Sequence, residues 1–307
     1  MIKKRSFLTI ITLIIIITVF AACDGSSAAS VVASYDREGY AIELPTEINT
    51  IISIGPSNTE ILVELGFGEQ IIATDMWSDD VAGIASGISV LDMMALDAEF
   101  IIDQDPDVIF IAGMTRVHGE DHPLRVVSDA GIAVLYIPPA ISIAEILEDI
   151  RFISSVLGVA DTGEAIVADI QAEMDTIAQI AATISTPRTV YFEISPAPHM
   201  WAVGGGNFQN EMLELLGAIN IFGDEDAWLG VSDEMFLMHN PDVILTSVNF
   251  LDDPVAEIMG RPGWSTINAV QNGDVFFVNT DTTSRQSHNI TIGLREMARA
   301  VYPEYFE

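Results

Sequence analysis

The stretch Leu96-Asp-Ala-Glu-Phe-Ile-Ile-Asp-Gln-Asp-Pro-Asp-Val-Ile-Phe110 returns without gaps as Val231-Ser-Asp-Glu-Met-Phe-Leu-Met-His-Asn-Pro-Asp-Val-Ile-Leu245. Both copies carry Pro-Asp-Val-Ile at the same point, and Glu99 of the first matches Glu234 of the second. Each copy predicts a helix, a Pro-Asp turn and a buried strand. The repeat therefore predicts two lobes that share one fold.

Other features extend this repeat. Asp97 and Ser232 stand two positions before the matched glutamates, and both residue types favour helix N-caps. A weaker match joins Thr59–Gly66 to Asn210–Gly217 in the same order along the chain. Two similar α/β lobes predict a small-molecule cleft between them, beyond the carboxyl ends of the strands.

Short runs rich in Ile and Val alternate with helical stretches, which predicts parallel sheets covered by helices. Ser57 and Glu60 have the spacing of a capping box, which predicts a helix start there and a stop near Gly66. The stretch Thr162–Ile184 predicts a helix about 30 Å long that can join the lobes. The predicted fold class is α/β, with two Rossmann-like lobes of parallel-type sheets, a long rigid joining α-helix and a cleft between the lobes. The predicted strands span residues 51–55, 71–75, 108–112, 133–137, 189–194, 242–248 and 275–281.

The N-terminus is typical of an export signal. Three basic residues precede the apolar run Phe7–Phe20, and Ala21-Ala22-Cys23 resembles a lipobox, although Phe20 stands where leucine is usual. Cys23 is the single cysteine, so it cannot form a disulfide within the chain, and we expect it to carry a lipid anchor. The predicted domains are a signal peptide (1–22), a lipidated cysteine with a flexible tether (23–40), an N-terminal lobe (41–140), a helical segment (141–186) and a C-terminal lobe (187–307).

The charge balance is strongly acidic. Without residues 1–22 the chain has nine arginines, no lysine and 45 acidic residues, a formal net charge of −36. Nucleic acid is excluded as a partner because phosphate binding needs clustered cations. The acidic surface itself is interpreted as a solvated face.

The chain resembles a known family, the cobalamin and iron-siderophore binding proteins of ABC importers, which are also called class III solute-binding proteins. The resemblance covers about residue 40 to the end. It departs from the family pattern at Asp75–Asp80 and Arg285–Asn289. The segments that carry it are Ile52–Leu62, both Pro-Asp-Val-Ile segments, Gly217–Phe222, Trp228–Glu234, Arg261–Trp264, Ala269–Val275 and Ser284-Arg285.

The resemblance implies one glutamate on each lobe that docks onto arginines of the importer's membrane subunits. Glu99 and Glu234 stand at those positions. The implied partners are the permease with its ATPase, a small-molecule metal chelate and the membrane through the lipid anchor. The implied protein is an extracytoplasmic monomer that requires no cofactor of its own, since the chelate is its cargo.

Candidate ligand residues are those that should follow strand ends, where Met and aromatic side chains offer apolar surface to a macrocycle. Trp228 joins them by resemblance to the cobalamin binders, and Arg285 is favoured among the strand-end residues as one of few cations. The candidates are Ser57, Asn58, Met76, Trp77, Met114, Arg116, His118, Trp201, Trp228, Asn249, Phe250 and Arg285.

Several ligands stay open. The scarcity of cations disfavours anionic ferric catecholates. The stretch Phe192–Leu213 resembles the cobalamin branch of the family more than the siderophore branch, which favours a corrinoid. Ferric hydroxamates and haem are alternatives, and His288 is a candidate axial ligand to a bound cobalt or haem iron. His118 and His122 suggest free Zn or Mn only remotely, because Pro123 disrupts helical spacing. No hydrolase or metalloprotease motif is present, so an enzyme is not expected.

Overall fold

The computed structural model describes residues 31–113 and 124–306. Its strands are β1 (Val31–Tyr35), β2 (Ala41–Pro45), β3 (Ile51–Ile54), β4 (Ile71–Asp75), β5 (Ser89–Leu91), β6 (Val108–Ala112), β7 (Ala133–Ile137), β8 (Thr189–Ser195), β9 (Trp201–Val203), β10 (Ile219–Asn220), β11 (Trp228–Gly230), β12 (Val243–Thr246) and β13 (Val275–Phe277). Its helices are α1 (Pro56–Glu64), α2 (Ala98–Gln104), α3 (Arg125–Asp129), α4 (Ile143–Val156), α5 (Ala160–Ala181), α6 (Phe208–Leu215), α7 (Asp233–His239), α8 (Pro254–Met259), α9 (Asn268–Asn272), α10 (Thr280–Ser284) and α11 (Ile290–Val301).

The first lobe is built on a five-stranded sheet in the order β5-β4-β3-β6-β7, and every pairing is parallel. All residues of β3 and β7 are buried. Apolar side chains are needed on both faces of such a sheet because helices cover both of them. The predicted parallel α/β lobe is confirmed.

The second lobe has a six-stranded sheet in the order β11-β9-β8-β12-β13, with β10 beside β8. The strands β8, β10, β12 and β13 pair in parallel, as predicted, whereas β9 and β11 are antiparallel. Only residues 196–200 join β8 to β9. That link is too short for a parallel crossover, so the chain turns back as a hairpin.

The internal repeat is visible in atomic detail. Asp97 caps α2 and Ser232 caps α7, each through a side-chain oxygen that accepts from backbone N–H groups. Both helices end at a left-handed residue, with φ of 46° at Asp105 and 45° at Asn240. The predicted sequence of capped helix, turn and buried strand is confirmed in both lobes.

The aspartate of each Pro-Asp turn ties its turn to the start of a neighbouring strand segment. Asp107 Oδ2 accepts from the backbone N–H and hydroxyl of Thr50 at 2.9 and 3.0 Å. Asp242 Oδ2 accepts from the same two groups of Thr189 at 3.0 and 2.9 Å. The repeated Pro-Asp motif therefore holds the central strands of each sheet in register.

The joining helix α5 is 22 residues long, about 33 Å at about 1.5 Å per residue. Its buried residues Val167, Ile170 and Ile177 belong to one apolar cluster that also contains residues of both lobes, such as Phe110 and Phe192. The lobes therefore share a continuous core along α5. A further link is polar, because Glu211 of α6 accepts from the N–H of Ile143 at 2.7 Å.

Two local expectations are corrected, and a third falls outside the described residues. Strand β1 begins at Val31 and pairs with β2, so the range 23–40 assigned to a tether contains part of the fold. The predicted strand at 275–281 ends at Phe277, because Asn279 caps α10 by accepting from Asp281 N–H. The signal segment and Cys23 lie outside the described residues.

The predicted capping box at Ser57 and Glu60 is wrong. Helix α1 is preceded by Gly55, whose φ of 104° suits glycine, and no side chain caps it. Both predicted box residues instead contact the other lobe. The predicted stop near Gly66 fits the end of α1 at Glu64.

We expect Asp107→Ala and Asp242→Ala each to lower the free energy of unfolding by about 1 kcal/mol, since each leaves two partly buried donors of a threonine without their acceptor. Burial raises the pKa of Asp242, but hydrogen bonds from Thr189 and Asn268 and the charge of Arg188 together outweigh it and lower that pKa. Its contribution should therefore be present above the unfolded pKa of about 4 and be lost as pH falls through the lower folded pKa.

Urea unfolding at pH 7 and at pH 3 measures these losses. The matched control is Asp103→Ala, an exposed acid of α2, which should change stability by less than about 0.5 kcal/mol. Equal effects of all three substitutions would contradict the structural role of the Pro-Asp turns.

Candidate functional site

A cavity of about 760 Å³ lies where the carboxyl ends of both sheets meet. The first lobe contributes residues that follow all five of its strands, and the second contributes residues that follow β12 and β13. This is the position expected for a ligand site in open α/β sheets. The lining residues are Gly55, Pro56, Ser57, Asn58, Ile61, Met76, Trp77, Asp79, Asp80, Met93, Met94, Ala112, Gly113, Ile137, Pro138, Pro139, Asp149, Asn249, Thr280, Asp281, Ser284, Arg285 and Gln286.

The apolar side of the cavity is carried by a turn that one buried carboxylate holds. Asp75 is fully buried and accepts from Gly55 N–H at 2.6 Å, Trp77 N–H at 2.8 Å and the Ser78 hydroxyl at 2.6 Å. This fixes the residues after β3 and β4 against each other. Trp77 remains 59% exposed, and Met76 beside it is 51% exposed, so both present apolar surface to the cleft.

Close backbone contacts shape the floor of the cavity. A side chain at Gly55 would place its Cβ 2.3 Å from Ala112 Cβ, and one at Gly113 would place it 2.1 Å from Pro139 Cδ. The loops after β3, β6 and β7 therefore approach one another as closely as glycine permits.

The two lobes meet in a polar seam beside the cavity, formed by α1 of the first lobe and residues 285–289 of the second. Glu60 on α1 accepts from Arg285 Nη1 at 2.8 Å, from Asn289 Nδ2 at 3.1 Å and from the Ser287 hydroxyl. Ser57 Oγ accepts from Gln286 N–H at 3.0 Å. The predicted cap residues thus join the lobes, and the Glu60 side chain is only 7% exposed.

Among the described residues, Arg285 is the one cation that lines the cavity. Its charge is already compensated by acidic side chains. Its guanidinium lies 2.8 Å from Glu60, 3.0 Å from Asp281 and 3.5 Å from Asp80. Burial lowers the pKa of Arg285, but its contacts with Glu60, Asp281 and Asp80 together outweigh burial, and the net pKa is raised. Burial and the crowding of carboxylates raise the pKa of Asp281.

A second ion pair closes the far wall. Asp149 of α4 is buried and accepts from Arg37 Nε at 2.6 Å, and Arg37 also reaches Glu148 at 3.2 Å. Desolvation raises the pKa of Asp149 to about 6, against the opposing effect of Arg37. The turn after β1 is thereby attached to the rim of the cavity.

The structure brings six of the twelve candidate ligand residues together on the cavity, namely Ser57, Asn58, Met76, Trp77, Asn249 and Arg285. Met114, Arg116, His118 and His122 lie outside the described residues. Trp201 and Trp228 are absent from the cavity wall; they stand on the paired strands β9 and β11 and are 47% and 37% exposed. Phe250 is 69% exposed beside the lining residue Asn249. Ligand contact by each of these residues stays a prediction.

His288 does not line the cavity. Its Nε2 lies 3.5 Å from Glu64 in the polar seam, and burial lowers its pKa. Within residues 31–113 and 124–306, no cluster of three His, Cys, Asp or Glu side chains suits a metal ion. In the same ranges, no helix combines the length and the apolar character that a membrane span requires.

Glu99 and Glu234 occupy the first turns of α2 and α7 and are exposed. A buried network supports the second position. Trp264 donates to Asp233, beside Glu234, at 2.9 Å and stacks on Phe236 at 3.9 Å between ring centroids. Arg261 lies over the Trp264 ring and forms ion pairs with Glu193 and Glu257 at 2.6 and 2.5 Å.

Sequence reasoning missed several residues that build the site. Asp75 ends a correctly predicted strand, and a carboxylate at the end of an otherwise apolar strand was the available signal. Met93 and Met94 follow β5, a strand of three residues that the sequence did not predict. Pro138 and Pro139 follow β7 and could have been nominated by the strand-end rule.

Comparison with known proteins gives a consistent picture. The family model described as periplasmic binding protein matches residues 51–282. The uncharacterized ABC transporter substrate-binding lipoprotein YvrC of Bacillus subtilis is 29% identical over 89% of this chain and 86% of its own. A vitamin B12-binding protein of Photorhabdus laumondii is 25% identical over 73% of this chain and 78% of its own. A possible iron-binding, periplasmic solute-binding protein of Staphylococcus epidermidis superposes with a TM-score of 0.74 at 30% identity, over 84% of this chain and all of that structure.

We expect Arg285→Gln to lower the free energy of unfolding by about 3–5 kcal/mol, the usual cost of breaking a buried ion pair, because the charge of Glu60 stays buried without its partner. The double variant Glu60→Gln/Arg285→Gln should recover most of that loss. Denaturant unfolding of all four forms gives the coupling energy.

The control for this cycle is Arg151→Gln, which breaks an exposed ion pair with Glu164 and should cost less than about 1 kcal/mol. A loss for Arg285→Gln no greater than the control would contradict the seam as a stabilising contact.

Proposed function

Because the chain belongs to the periplasmic binding protein family, we propose that it is the solute-binding lipoprotein of an ABC importer, which captures a metal chelate and hands it to the permease. The observation that carries this proposal is the cavity of about 760 Å³ between the strand ends of two lobes. Its volume falls in the range of about 300–1,000 Å³ found for ligand sites. Binding without turnover is all that this role requires.

A corrinoid is the proposed ligand. The exposed Trp77, Met76 and Met94 offer a broad apolar surface for a macrocycle. The similarity to a vitamin B12-binding protein supports this ligand, and the similarity to a possible iron-binding protein supports a ferric hydroxamate as the alternative. Both chelates can be bound without several cations in the cleft.

Haem is a weaker candidate. Its propionates need cations, and the described cation of the cavity, Arg285, is already paired with three carboxylates. Among the described residues, no tyrosine or histidine lines the cavity to serve as an axial ligand. Tyr136 is buried and donates to Gly113 C=O, and His288 faces Glu64 instead.

Delivery requires a second surface, and we assign it to Glu99 and Glu234. Each is an exposed carboxylate on the first turn of a repeated helix, one on each lobe. Two separated carboxylates give charge-assisted docking at two points and fix the orientation of the protein on the permease. Lipidation of Cys23 would hold the protein at the outer face of the membrane, where that permease lies.

Titration calorimetry with cyanocobalamin, a ferric hydroxamate and haem tests the ligand. We expect saturable one-to-one binding of cyanocobalamin, and at least tenfold weaker binding by Trp77→Ala because a central aromatic anchor is lost. Tyr35→Ala is the matched control, since Tyr35 is an exposed aromatic residue of β1 that lies off the cavity wall. Binding of the hydroxamate alone would make a ferric hydroxamate the ligand instead of a corrinoid. No binding of any of the three compounds would refute metal-chelate capture.

Uptake assays test the docking surface. We expect Glu99→Ala/Glu234→Ala to leave ligand affinity within about twofold of wild type, because neither residue lines the cavity, while uptake by intact cells falls at least about tenfold. The control variant Asp103→Ala/Asp169→Ala removes the same charge from exposed positions. Normal uptake by the glutamate variant would remove the docking role.

A further inference from the structure

The charges around the cavity are unequal in number. Glu60, Asp80 and Asp281 all lie within 3.5 Å of the single guanidinium of Arg285. Asp79 also lines the cavity, with no cationic side chain within 4.0 Å among the described residues. Among the described residues, the lining aspartates Asp79, Asp80 and Asp281 and the seam residue Glu60 thus accompany the one guanidinium of Arg285, while the fourth lining aspartate, Asp149, is paired with Arg37. Even with one more guanidinium at this edge, the net charge of these side chains would remain negative.

The carboxylates are not all consumed by internal contacts. The side chains of Asp80 and Asp281 are 65% and 43% exposed and line the cavity, so they remain accessible to a ligand. Asp79 and Asp80 follow Trp77 in one turn, and Asp281 belongs to α10 of the opposite lobe. The negative edge therefore spans both walls of the cavity, next to an exposed aromatic face.

This arrangement has a direct consequence for a ligand. A positive group at this edge would gain from the carboxylates and from the π-face of Trp77. A negative group would meet these carboxylates, and among the described residues of the cavity wall the one cation, Arg285, is already engaged. Walls of protein on both sides exclude part of the solvent that would screen these charges.

We propose that the cleft selects metal chelates that carry a positive charge on their periphery, and rejects anionic ones, through Asp79, Asp80 and Asp281. This inference rests on the proposed function and specifies the ligand class of the same cavity. A corrinoid with a peripheral ammonium group, or a ferric hydroxamate with a pendant amine, has the required chemistry.

Two sets of probes test it, each with one chelate in three charge states. The corrinoid set is cyanocobalamin, its monocarboxylate from hydrolysis of one side-chain amide, and the aminoethylamide of that carboxylate. The hydroxamate set is ferrioxamine B with its free ammonium, its N-acetyl form and its N-succinyl form. The metal is coordinatively saturated throughout each set, so only the peripheral charge changes.

Affinities are measured by calorimetry on the full chain in a neutral detergent, at low and at high NaCl concentration. In the set that binds, we expect the ammonium member to bind about tenfold more tightly than the neutral member at low salt, and the carboxylate member about tenfold more weakly. Both ratios should shrink at high salt as screening grows.

Variants locate the effect. Asp80→Asn/Asp281→Asn should reduce the ammonium-to-carboxylate ratio at least about tenfold. Asp79→Asn, which breaks no ion pair among the described residues, should reduce it about threefold and guards against a fold defect in the double variant. Asp169→Asn, an exposed acid on α5 outside the cavity wall, should leave the ratio unchanged.

The outcomes separate the two proposals. Equal affinities across a set, or tightest binding of the carboxylate member, would overturn charge selection and leave chelate binding intact. Charge selection by the cavity would also be overturned if Asp169→Asn altered the ratio as much as the cavity variants. A lack of binding by every member of both sets would instead overturn the proposed corrinoid and hydroxamate ligands, and charge selection with them.

Discussion

The carboxylate of Glu60 belongs to the first lobe, yet its partners Arg285, Ser287 and Asn289 belong to the second. A buried carboxylate cannot remain without donors, so the strand ends of the two sheets have to face each other at the distance that these contacts define. The cavity exists at that junction. The same contacts neutralise Arg285, and they therefore set both the shape of the cleft and its electrostatic sign.

Local sequence patterns predicted much of the fold. The predicted strands at 71–75, 108–112 and 133–137 match β4, β6 and β7 residue for residue, because buried parallel strands need unbroken apolar runs. The repeat predicted α2 and α7 with their caps, since the signals of a helix start lie within a few residues. Boundaries failed where a short element, such as β5 or α10, depends on neighbours distant in sequence.

Glu60 illustrates why the site was harder to predict than the fold. Its spacing from Ser57 is that of a capping box, and a local interpretation is the natural one when only sequence is considered. The decisive partners lie more than two hundred residues away, and no local pattern encodes them. Trp77 and Arg285 were found because the strand-end rule depends only on predicted strands, whereas the pairing that cancels the charge of Arg285 depends on tertiary contact.

The apolar cluster that runs from the first sheet through α5 into the second sheet bears on how the two halves relate. The repeat in the sequence suggests two independent lobes joined by a connecting helix, each able to fold without the other. The shared core argues against that independence, because removing either half would expose to solvent the face of α5 that this half covers. Each half also packs a smaller apolar cluster of its own, but the larger cluster spans both, so the two halves depend on each other to bury α5.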